Sequence, residues 1–274
     1  MKFDVKLLLE NGISFEGIGF GYQKIGVGEV VFNTAITGYQ EILTDPSYDG
    51  QIITFTYPHI GNTGINFEDN ESKQVSARGM IVKNFCDFPS NWRSKQSLEE
   101  FLIEQKVICI SDIDTRHLTK ILRDEGCKVG AIYPTKNFTH EEAKFEIESF
   151  GSIEDQDFTE NVSVKEPYNY DKPKNKRTFK IVAIDFGIKE NILRILQRMG
   201  GDIEVVPPSI SAEEVQNMKP DGIFLSNGPG DPQVLVNPIK EVKKMMQLDI
   251  PIFGICLGHQ IMSLAYDLEI EKMP

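Results

Sequence analysis

Short apolar stretches separated by turn-forming residues characterise the first 150 residues. The alternation of apolar and polar positions over 3–9, the dipeptide Asn11-Gly12 and the renewed alternation over 13–18 predict a β-hairpin. Further strands are predicted at 29–32, 51–56, 79–82 and 107–110, where β-branched and apolar residues cluster. One helix is predicted, with Asp114 or Thr115 as its N-cap and Gly126 as its C-cap. We therefore expect residues 1–150 to form a mainly-β domain.

A different pattern begins near residue 179. Apolar stretches at 181–186, 203–207, 222–226 and 251–255 alternate with amphipathic segments, one of which opens with a capping box formed by Ser211 and Glu214. Buried strands that alternate with helices specify a parallel sheet covered on both faces. The predicted fold class is therefore α/β: an N-terminal mainly-β domain followed by a doubly wound, mostly parallel sheet over 179–274.

The charge pattern changes abruptly between these two regions. Residues 141–171 contain ten acidic and two basic residues, and a basic run follows, formed by Lys172, Lys174, Lys176, Arg177 and Lys180. Such a change, with prolines and little apolar periodicity, is typical of a connection between domains. We expect a linker at 151–178.

Composition narrows the class of protein. The chain has 29 Lys and Arg against 41 Asp and Glu, a net charge of −12, which argues against nucleic acid or an acidic membrane surface as a partner. No apolar run approaches the roughly 20 residues that span a bilayer, so we expect a cytoplasmic protein. The cysteines contain no CxxC pair, and we expect no metal site; they are Cys86, Cys109, Cys127 and Cys256.

Cys256 lies where the last predicted strand meets the last predicted helix, in the sequence Gly-Ile-Cys-Leu-Gly-His-Gln (254–260). Glycines two residues to either side allow the sharp turn of a nucleophile elbow, which holds a reactive side chain exposed between a strand and a helix. A helix N-terminus stabilises a thiolate, and the N–H of Leu257 is placed to bind a developing oxyanion. A buried, inert thiol is the commonest state of an isolated cysteine, but the flanking glycines favour a nucleophile.

A second glycine-rich loop follows the predicted strand at 222–226 and reads Asn-Gly-Pro-Gly-Asp-Pro (227–232). Ligands of open parallel sheets bind beyond the carboxyl ends of the strands, so we expect this loop and Cys256 to border one crevice. The N–H groups of Gly228 and Gly230 are candidate oxyanion donors, although glycine with proline also forms ordinary turns. Together the two loops predict acyl transfer through a cysteine.

These two loops resemble those of class I (triad) glutamine amidotransferases, in which a cysteine attacks the side-chain amide of glutamine and ammonia is released. The N-terminal half is more specific, because residues 28–64 and 111–126 resemble the small subunit family of carbamoyl-phosphate synthase, as does the stretch 184–194. The resemblance extends from the first predicted strand to Pro274.

The resemblance implies a glutaminase subunit that passes ammonia to a large subunit for carbamoyl phosphate synthesis, in the arginine and pyrimidine pathways. Cys256 would be the nucleophile, and Gly228 and Leu257 the oxyanion donors. The residues that would contact L-glutamine are Ser47, Gly228, Gly230, Leu257 and Gln260. Composition alone would make Ser47 an ordinary turn residue.

The same resemblance implies partners and domain roles. Residues 1–150 would dock the large subunit in a heterodimer, and residues 179–274 would be a partial glutamine amidotransferase domain. No cofactor is expected in this chain, because ATP and Mg²⁺ are expected in the large subunit.

The catalytic triad of the family is completed by a His-x-Glu pair several tens of residues after the cysteine, and no such pair follows Cys256 in this sequence. We therefore expect a C-terminally truncated chain that is inactive alone. His259 lies three residues from the thiol, but its place on the helix argues against a role as base. His117, beside Asp112 and Asp114, is better explained by helix capping than by a metal site.

Two alternatives remain open at this point. Another triad amidotransferase, such as the glutaminase of anthranilate synthase, would share the elbow, but the long N-terminal β region disfavours it. A noncatalytic docking or scaffold chain is favoured if the end at Pro274 is native.

Overall fold

The structure, a computed structural model, describes residues 2–170 and 179–271. The chain divides into two units, Met1–Ile153 and Glu154–Pro274. Each unit has its own clusters of buried apolar side chains.

Strands of the first unit close into a barrel. The strands described in this unit are β1 (Phe3–Leu9), β2 (Ser14–Gly21), β3 (Gly26–Asn33), β4 (Gln51–Phe55), β5 (His59–Ile60), β6 (Gly79–Ile81), β7 (Asn84–Phe85), β8 (Ile108–Ser111) and β9 (Lys128–Pro134). The barrel order is β1-β2-β8-β6-β4-β3-β9, and β5 pairs with β7 outside it. Neighbours within β3-β4-β6-β8 are parallel, and the remaining barrel pairs are antiparallel.

The predicted β1–β2 hairpin is confirmed. Its two strands pair from Phe3↔Gly19 to Leu8↔Ser14. Gly12 takes φ 85° in the turn, a conformation that favours glycine, and the Asn11 side chain accepts a hydrogen bond from the N–H of Ile13 at 3.2 Å. The apolar positions of β1 enter the barrel core with side chains from β3, β4, β6, β8 and β9.

Helices of the first unit pack around the barrel. They are α1 (Tyr39–Thr44), α2 (Leu98–Glu104), α3 (Thr115–Glu125) and α4 (His140–Phe150). The predicted helix corresponds to α3: Asp114 caps it by accepting the N–H of His117 at 2.9 Å, and Gly126 ends it at φ 84°. The helices α2 and α4 were not predicted, although each begins with a capping box, Ser97–Glu100 and Thr139–Glu142.

The second unit is a doubly wound sheet, as predicted. Its strands are β10 (Tyr168–Asn169), β11 (Phe179–Ile184), β12 (Gly201–Val206), β13 (Gly222–Leu225) and β14 (Ile252–Gly254). Its helices are α5 (Thr159–Val162), α6 (Glu190–Arg198), α7 (Ala212–Met218), α8 (Val236–Met245) and α9 (Leu257–Ala265). The strand order is β10-β12-β11-β13-β14, parallel except for β10.

Alternation along the strands gives this sheet two apolar faces. One face packs against α7, α8 and α9, and the other packs against α6. The chain leaves β11 towards β12 on one side and then crosses to β13 on the other, so the strand order reverses between β11 and β13. In open sheets of this kind, ligands bind at the carboxyl ends of the strands beside such a reversal. No helix of the described residues is long and apolar enough to span a membrane.

Residues 154–170, which the charge pattern assigns to a linker, belong to the second unit. β10 pairs with β12, and the N–H of Val164 donates to the buried Asp185 at 2.9 Å. Phe158 and Thr159 are buried. The acidic residues of this segment are mostly exposed, so the charge run reflects a solvated surface rather than a connection. The basic run over 172–177 lies outside the described residues.

Candidate active site

Three neighbouring strands of the second sheet end at the same level. Ile184 of β11 pairs with Leu225 of β13, which in turn pairs with Gly254 of β14. The residues that follow these strands, 185–189, 226–230 and 255–258, therefore lie along one edge of the sheet. Both loops singled out in the sequence belong to this edge.

Cys256 has the backbone of a strained elbow. It is the N-cap of α9 with φ 50° and ψ −112°, and its side chain is exposed. A Cβ on Gly254 would lie 2.7 Å from the backbone of Gly258, and a Cβ on Gly258 would lie 2.3 Å from the carbonyl oxygen of Leu225. Both flanking positions are therefore restricted to glycine, which packs the start of α9 directly on the end of β13.

The glycine-rich loop after β13 lies against this elbow. A Cβ on Gly228 would lie 2.7 Å from Cδ2 of Leu257 and 2.3 Å from the carbonyl oxygen of Phe186. The N–H groups of Gly228 and Leu257 have no hydrogen-bond partner among the described residues. Two unpaired N–H donors thus lie beside an exposed thiol, which is the arrangement that binds the oxyanion of a tetrahedral intermediate.

Buried polar side chains hold the loops of this edge together. Asn227, which is buried, donates to the carbonyl oxygen of Gly187 at 2.8 Å and accepts the N–H of Lys189 at 3.2 Å. Asp185 accepts the N–H groups of Gly187 and Ile188, both at 2.8 Å. Burial raises the pKa of the Asp185 carboxyl, and its backbone donors partly oppose that rise.

Comparison with known proteins identifies the family. Residues 7–132 match the family described as carbamoyl-phosphate synthase small chain, CPSase domain, and residues 182–274 match glutamine amidotransferase class-I. The carbamoyl phosphate synthase small chain of Haemophilus ducreyi is 48% identical over 97% of this chain and 75% of its own length. That of Neisseria gonorrhoeae is 47% identical over 100% of this chain and 75% of its own length. The chain belongs to the carbamoyl-phosphate synthase small chain family.

The elbow alone left open whether the chain is a carbamoyl-phosphate synthase small chain or another class I glutamine amidotransferase, and family membership decides between them. The N-terminal match distinguishes this chain from other class I glutamine amidotransferases, such as the glutaminase of anthranilate synthase. The match to the amidotransferase family covers the elbow and the glycine-rich loop in one segment. The relatives are longer than this chain, which spans about three quarters of them (75%).

The family resemblance implies three further residues that contact glutamine, and they lie in three different parts of the chain. Gly230 takes φ 81° and is exposed, beside Phe158 and Gln156 of the second unit. Gln260 lies in the first turn of α9, half-buried, and its N–H donates to the carbonyl oxygen of Cys256 at 3.0 Å. Ser47 belongs to the first unit, in the short 3₁₀ turn Pro46–Tyr48, and its contact with glutamine stays a prediction.

The histidines do not complete a triad in the described residues. His259 is the third residue of α9 and is exposed, and its carbonyl oxygen accepts the Ser263 hydroxyl at 3.0 Å. His117 belongs to α3, where its ring meets Phe15 edge-on at 6.0 Å between centroids. The described part of the chain contains no group of three or more His, Cys, Asp or Glu side chains suited to a metal ion.

The supporting roles of the buried polar residues along this edge were not predicted from the sequence. Asp185, Ser226 and Asn227 are polar yet buried; Asp185 and Ser226 each follow directly on a strand that ends in apolar residues, and Asn227 follows Ser226. A polar residue at the carboxyl end of a buried parallel strand is a signal that sequence alone provides. The hydrogen bonds these residues make could not be read from it.

Proposed function

We propose that this chain is the glutaminase component of a carbamoyl-phosphate synthase. The thiolate of Cys256 would attack the side-chain amide carbon of L-glutamine, forming a tetrahedral oxyanion bound by the N–H groups of Gly228 and Leu257. The amide nitrogen would then take up a proton and the carbon–nitrogen bond would break, releasing ammonia and leaving a glutamyl thioester on Cys256. Water would hydrolyse the thioester to glutamate and restore the thiol.

One observation carries this proposal: an exposed cysteine at a strained elbow beside two unpaired N–H groups. One such donor typically contributes about 3 kcal/mol to transition-state stabilisation. Family membership supports the choice of an amide of glutamine over other acyl substrates, because residues 182–274 match the class I glutamine amidotransferases.

We further propose a large subunit as the partner that receives the ammonia and carries the ATP and Mg²⁺ chemistry, in arginine and pyrimidine biosynthesis. The first unit is our candidate for docking it. Family membership supports this partner, since the matched N-terminal region is specific to small chains rather than to amidotransferases in general.

Replacement of the nucleophile tests the proposed reaction. The variant is made in a chain that includes any residues that the gene encodes after Pro274, and it is assayed in complex with a carbamoyl-phosphate synthase large subunit. Cys256→Ser should abolish synthesis of carbamoyl phosphate from glutamine. Synthesis from added ammonium chloride should persist, because the thiol takes part only in releasing ammonia. Cys127→Ser, at an exposed thiol of the first unit, is the matched control and should leave both activities unchanged.

The two activities also test the alternative of a noncatalytic chain. If Cys256→Ser left glutamine-dependent synthesis intact, Cys256 would not be the nucleophile. If both activities fell together, the residue would act in assembly rather than in ammonia release.

A further inference from the structure

We propose that the Ser226 hydroxyl is a positioning group that aims the Gly228 N–H at the oxyanion. This inference rests on the proposed function, because it concerns the oxyanion site of the same cysteine. Ser226 does not touch the reacting atoms. Its effect runs through the peptide bond between Asn227 and Gly228.

The Asn227–Gly228 peptide is held by its carbonyl. The Ser226 Oγ–H donates to the carbonyl oxygen of Asn227 at 2.7 Å, and the same Oγ accepts the N–H of Phe186 at 2.8 Å. A trans peptide unit is planar, with its C=O and N–H pointing in opposite directions. Fixing the Asn227 carbonyl towards β11 therefore points the Gly228 N–H away from it, to the side where it has no partner among the described residues.

The second donor is held in the same way. The carbonyl oxygen of Cys256 accepts the N–H of Gln260 at 3.0 Å, which fixes the peptide plane that carries the Leu257 N–H. The N–H of Gly258 donates to the carbonyl oxygen of Ser226 at 2.9 Å. Ser226 thus contacts the first donor peptide through its hydroxyl and, through its backbone carbonyl, the Leu257–Gly258 peptide that follows the second donor.

A hydroxyl is the group that this position requires. Ser226 is fully buried, at 0% exposure, and its Oγ both donates and accepts. Alanine would leave the Phe186 N–H and the Asn227 carbonyl without this partner, and the Asn227–Gly228 peptide would lose the hydrogen bond that fixes its carbonyl. The expected defect is a misdirected donor, with the exposed thiol itself unchanged.

Two electrophiles distinguish a misdirected oxyanion donor from a change in the reactivity of the Cys256 thiol itself. The chloroketone analogue of L-glutamine alkylates the thiolate: the C–S bond forms, the C–Cl bond breaks, and chloride leaves with the bonding electrons. The ketone oxygen gains negative charge when the sulfur adds to the carbonyl, so this reaction uses oxyanion donors. Iodoacetamide reacts by direct displacement at carbon and reports the thiol alone. Peptide mass spectrometry measures labelling at Cys256, with the exposed Cys127 as an internal reference thiol.

In the wild-type chain we expect the chloroketone-to-iodoacetamide rate ratio at Cys256 to exceed that at Cys127 by at least tenfold. Ser226→Ala should lower the ratio at Cys256 at least tenfold, while its iodoacetamide rate stays within twofold of wild type. Ser211→Ala is the matched control, because it also removes a serine hydroxyl that accepts a backbone N–H, that of Glu214 at the start of α7. The chloroketone-to-iodoacetamide rate ratio at Cys256 in this control should equal that of wild type.

The outcomes distinguish this inference from the proposed function. A wild-type ratio at Cys256 no higher than at Cys127 would overturn the proposed function itself. A high wild-type ratio that Ser226→Ala leaves intact would overturn only the role of Ser226, and an equal fall in both rates would make that role purely structural. If Ser226→Ala does not fold, as shown by circular dichroism, the same ratio is measured for Ser226→Cys, which keeps the side-chain shape and weakens the hydrogen bond.

Discussion

At the scale of single residues, the conformation of Cys256 predicts a conflict between stability and reactivity. Its φ of 50° with ψ −112° is rare for a residue with a Cβ, and such strain is worth on the order of 1–3 kcal/mol. Glycine adopts positive φ freely but has an entropic cost of about 0.5–1 kcal/mol. We expect Cys256→Gly to raise the free energy of unfolding of the second unit by about 1 kcal/mol.

Urea titration followed by circular dichroism measures this change. Cys127→Gly is the matched control. Cys127 is not among the residues with positive φ, so glycine there relieves no backbone strain. A second unit that is less stable with Cys256→Gly than with cysteine would show that the elbow is not strained.

Tyr39 makes the stability of the first unit depend on alkaline pH. Burial raises the pKa of Tyr39 to about 12, and its hydroxyl donates to the carbonyl oxygen of Gly64 at 2.7 Å. Because the folded-state pKa lies above the unfolded value of about 10, the stabilisation is complete below pH 10 and is lost as pH rises towards 12. Tyr39→Phe should reduce the fall in the free energy of unfolding at alkaline pH by about 2–3 kcal/mol.

The measurement is the difference between wild type and Tyr39→Phe in the free energy of unfolding at pH 9 to 12. Tyr22→Phe, at a more exposed tyrosine of the same unit, is the control and should leave the curve unchanged. Parallel curves for wild type and Tyr39→Phe would contradict the prediction.

At the scale of elements, the contact between α9 and β13 depends on the absence of a side chain at Gly258. A Cβ there would lie 2.3 Å from the Leu225 carbonyl oxygen, a backbone atom that cannot move without disturbing the sheet. We expect Gly258→Ala to destabilise the second unit by about 3 kcal/mol or more. At Gly222 a Cβ would meet only the Pro251 carbonyl oxygen at 3.7 Å, so Gly222→Ala is the matched control. Equal thermal unfolding midpoints for the two variants would refute the close packing.

The elements that sequence predicted are those whose signals are local. The β1–β2 hairpin, α3 with its Asp114 cap and the strands of the second sheet follow from alternation, caps and apolar runs. Closure of the first unit into a barrel was not predicted, because β1 and β9 lie far apart in the chain and no local pattern reports their pairing. β10 was missed because two exposed residues in an acidic stretch give no strand signal.

In the candidate site too, features with a local sequence signal could be predicted and features that depend on distant partners could not. The elbow at Cys256 and the loop at Gly228 could be predicted, since glycine spacing after a buried strand is a local signal. Ser226 and Asp185 could not be assigned a role, because their partners Phe186 and Val164 lie in segments far from them along the chain.

At the scale of the whole molecule, we expect a polypeptide of residues 1–274 to have no measurable glutaminase turnover. Release of ammonia needs a proton donor, and hydrolysis of the thioester needs a base to activate water. His259 is the one histidine of the sequence between 154 and 274, and it lies exposed on α9. Glutamate production from glutamine should stay at background, with or without a large subunit.

Labelling of Cys256 by the glutamine chloroketone is the control that the elbow of this polypeptide is folded. Turnover that depends on Cys256 would contradict the prediction, and its loss in His259→Ala would then identify His259 as the base.

The pairing of β1 with both β2 and β9 has a consequence during synthesis on the ribosome. β1 is translated before β9, which follows about 120 residues later, roughly 6–25 s at ordinary translation rates. Throughout that interval the nascent chain carries a strand with one row of unpaired N–H and C=O groups, a template for pairing with other chains. The first unit therefore cannot close cotranslationally before residue 134 has left the exit tunnel, and chaperone capture is most valuable in that window.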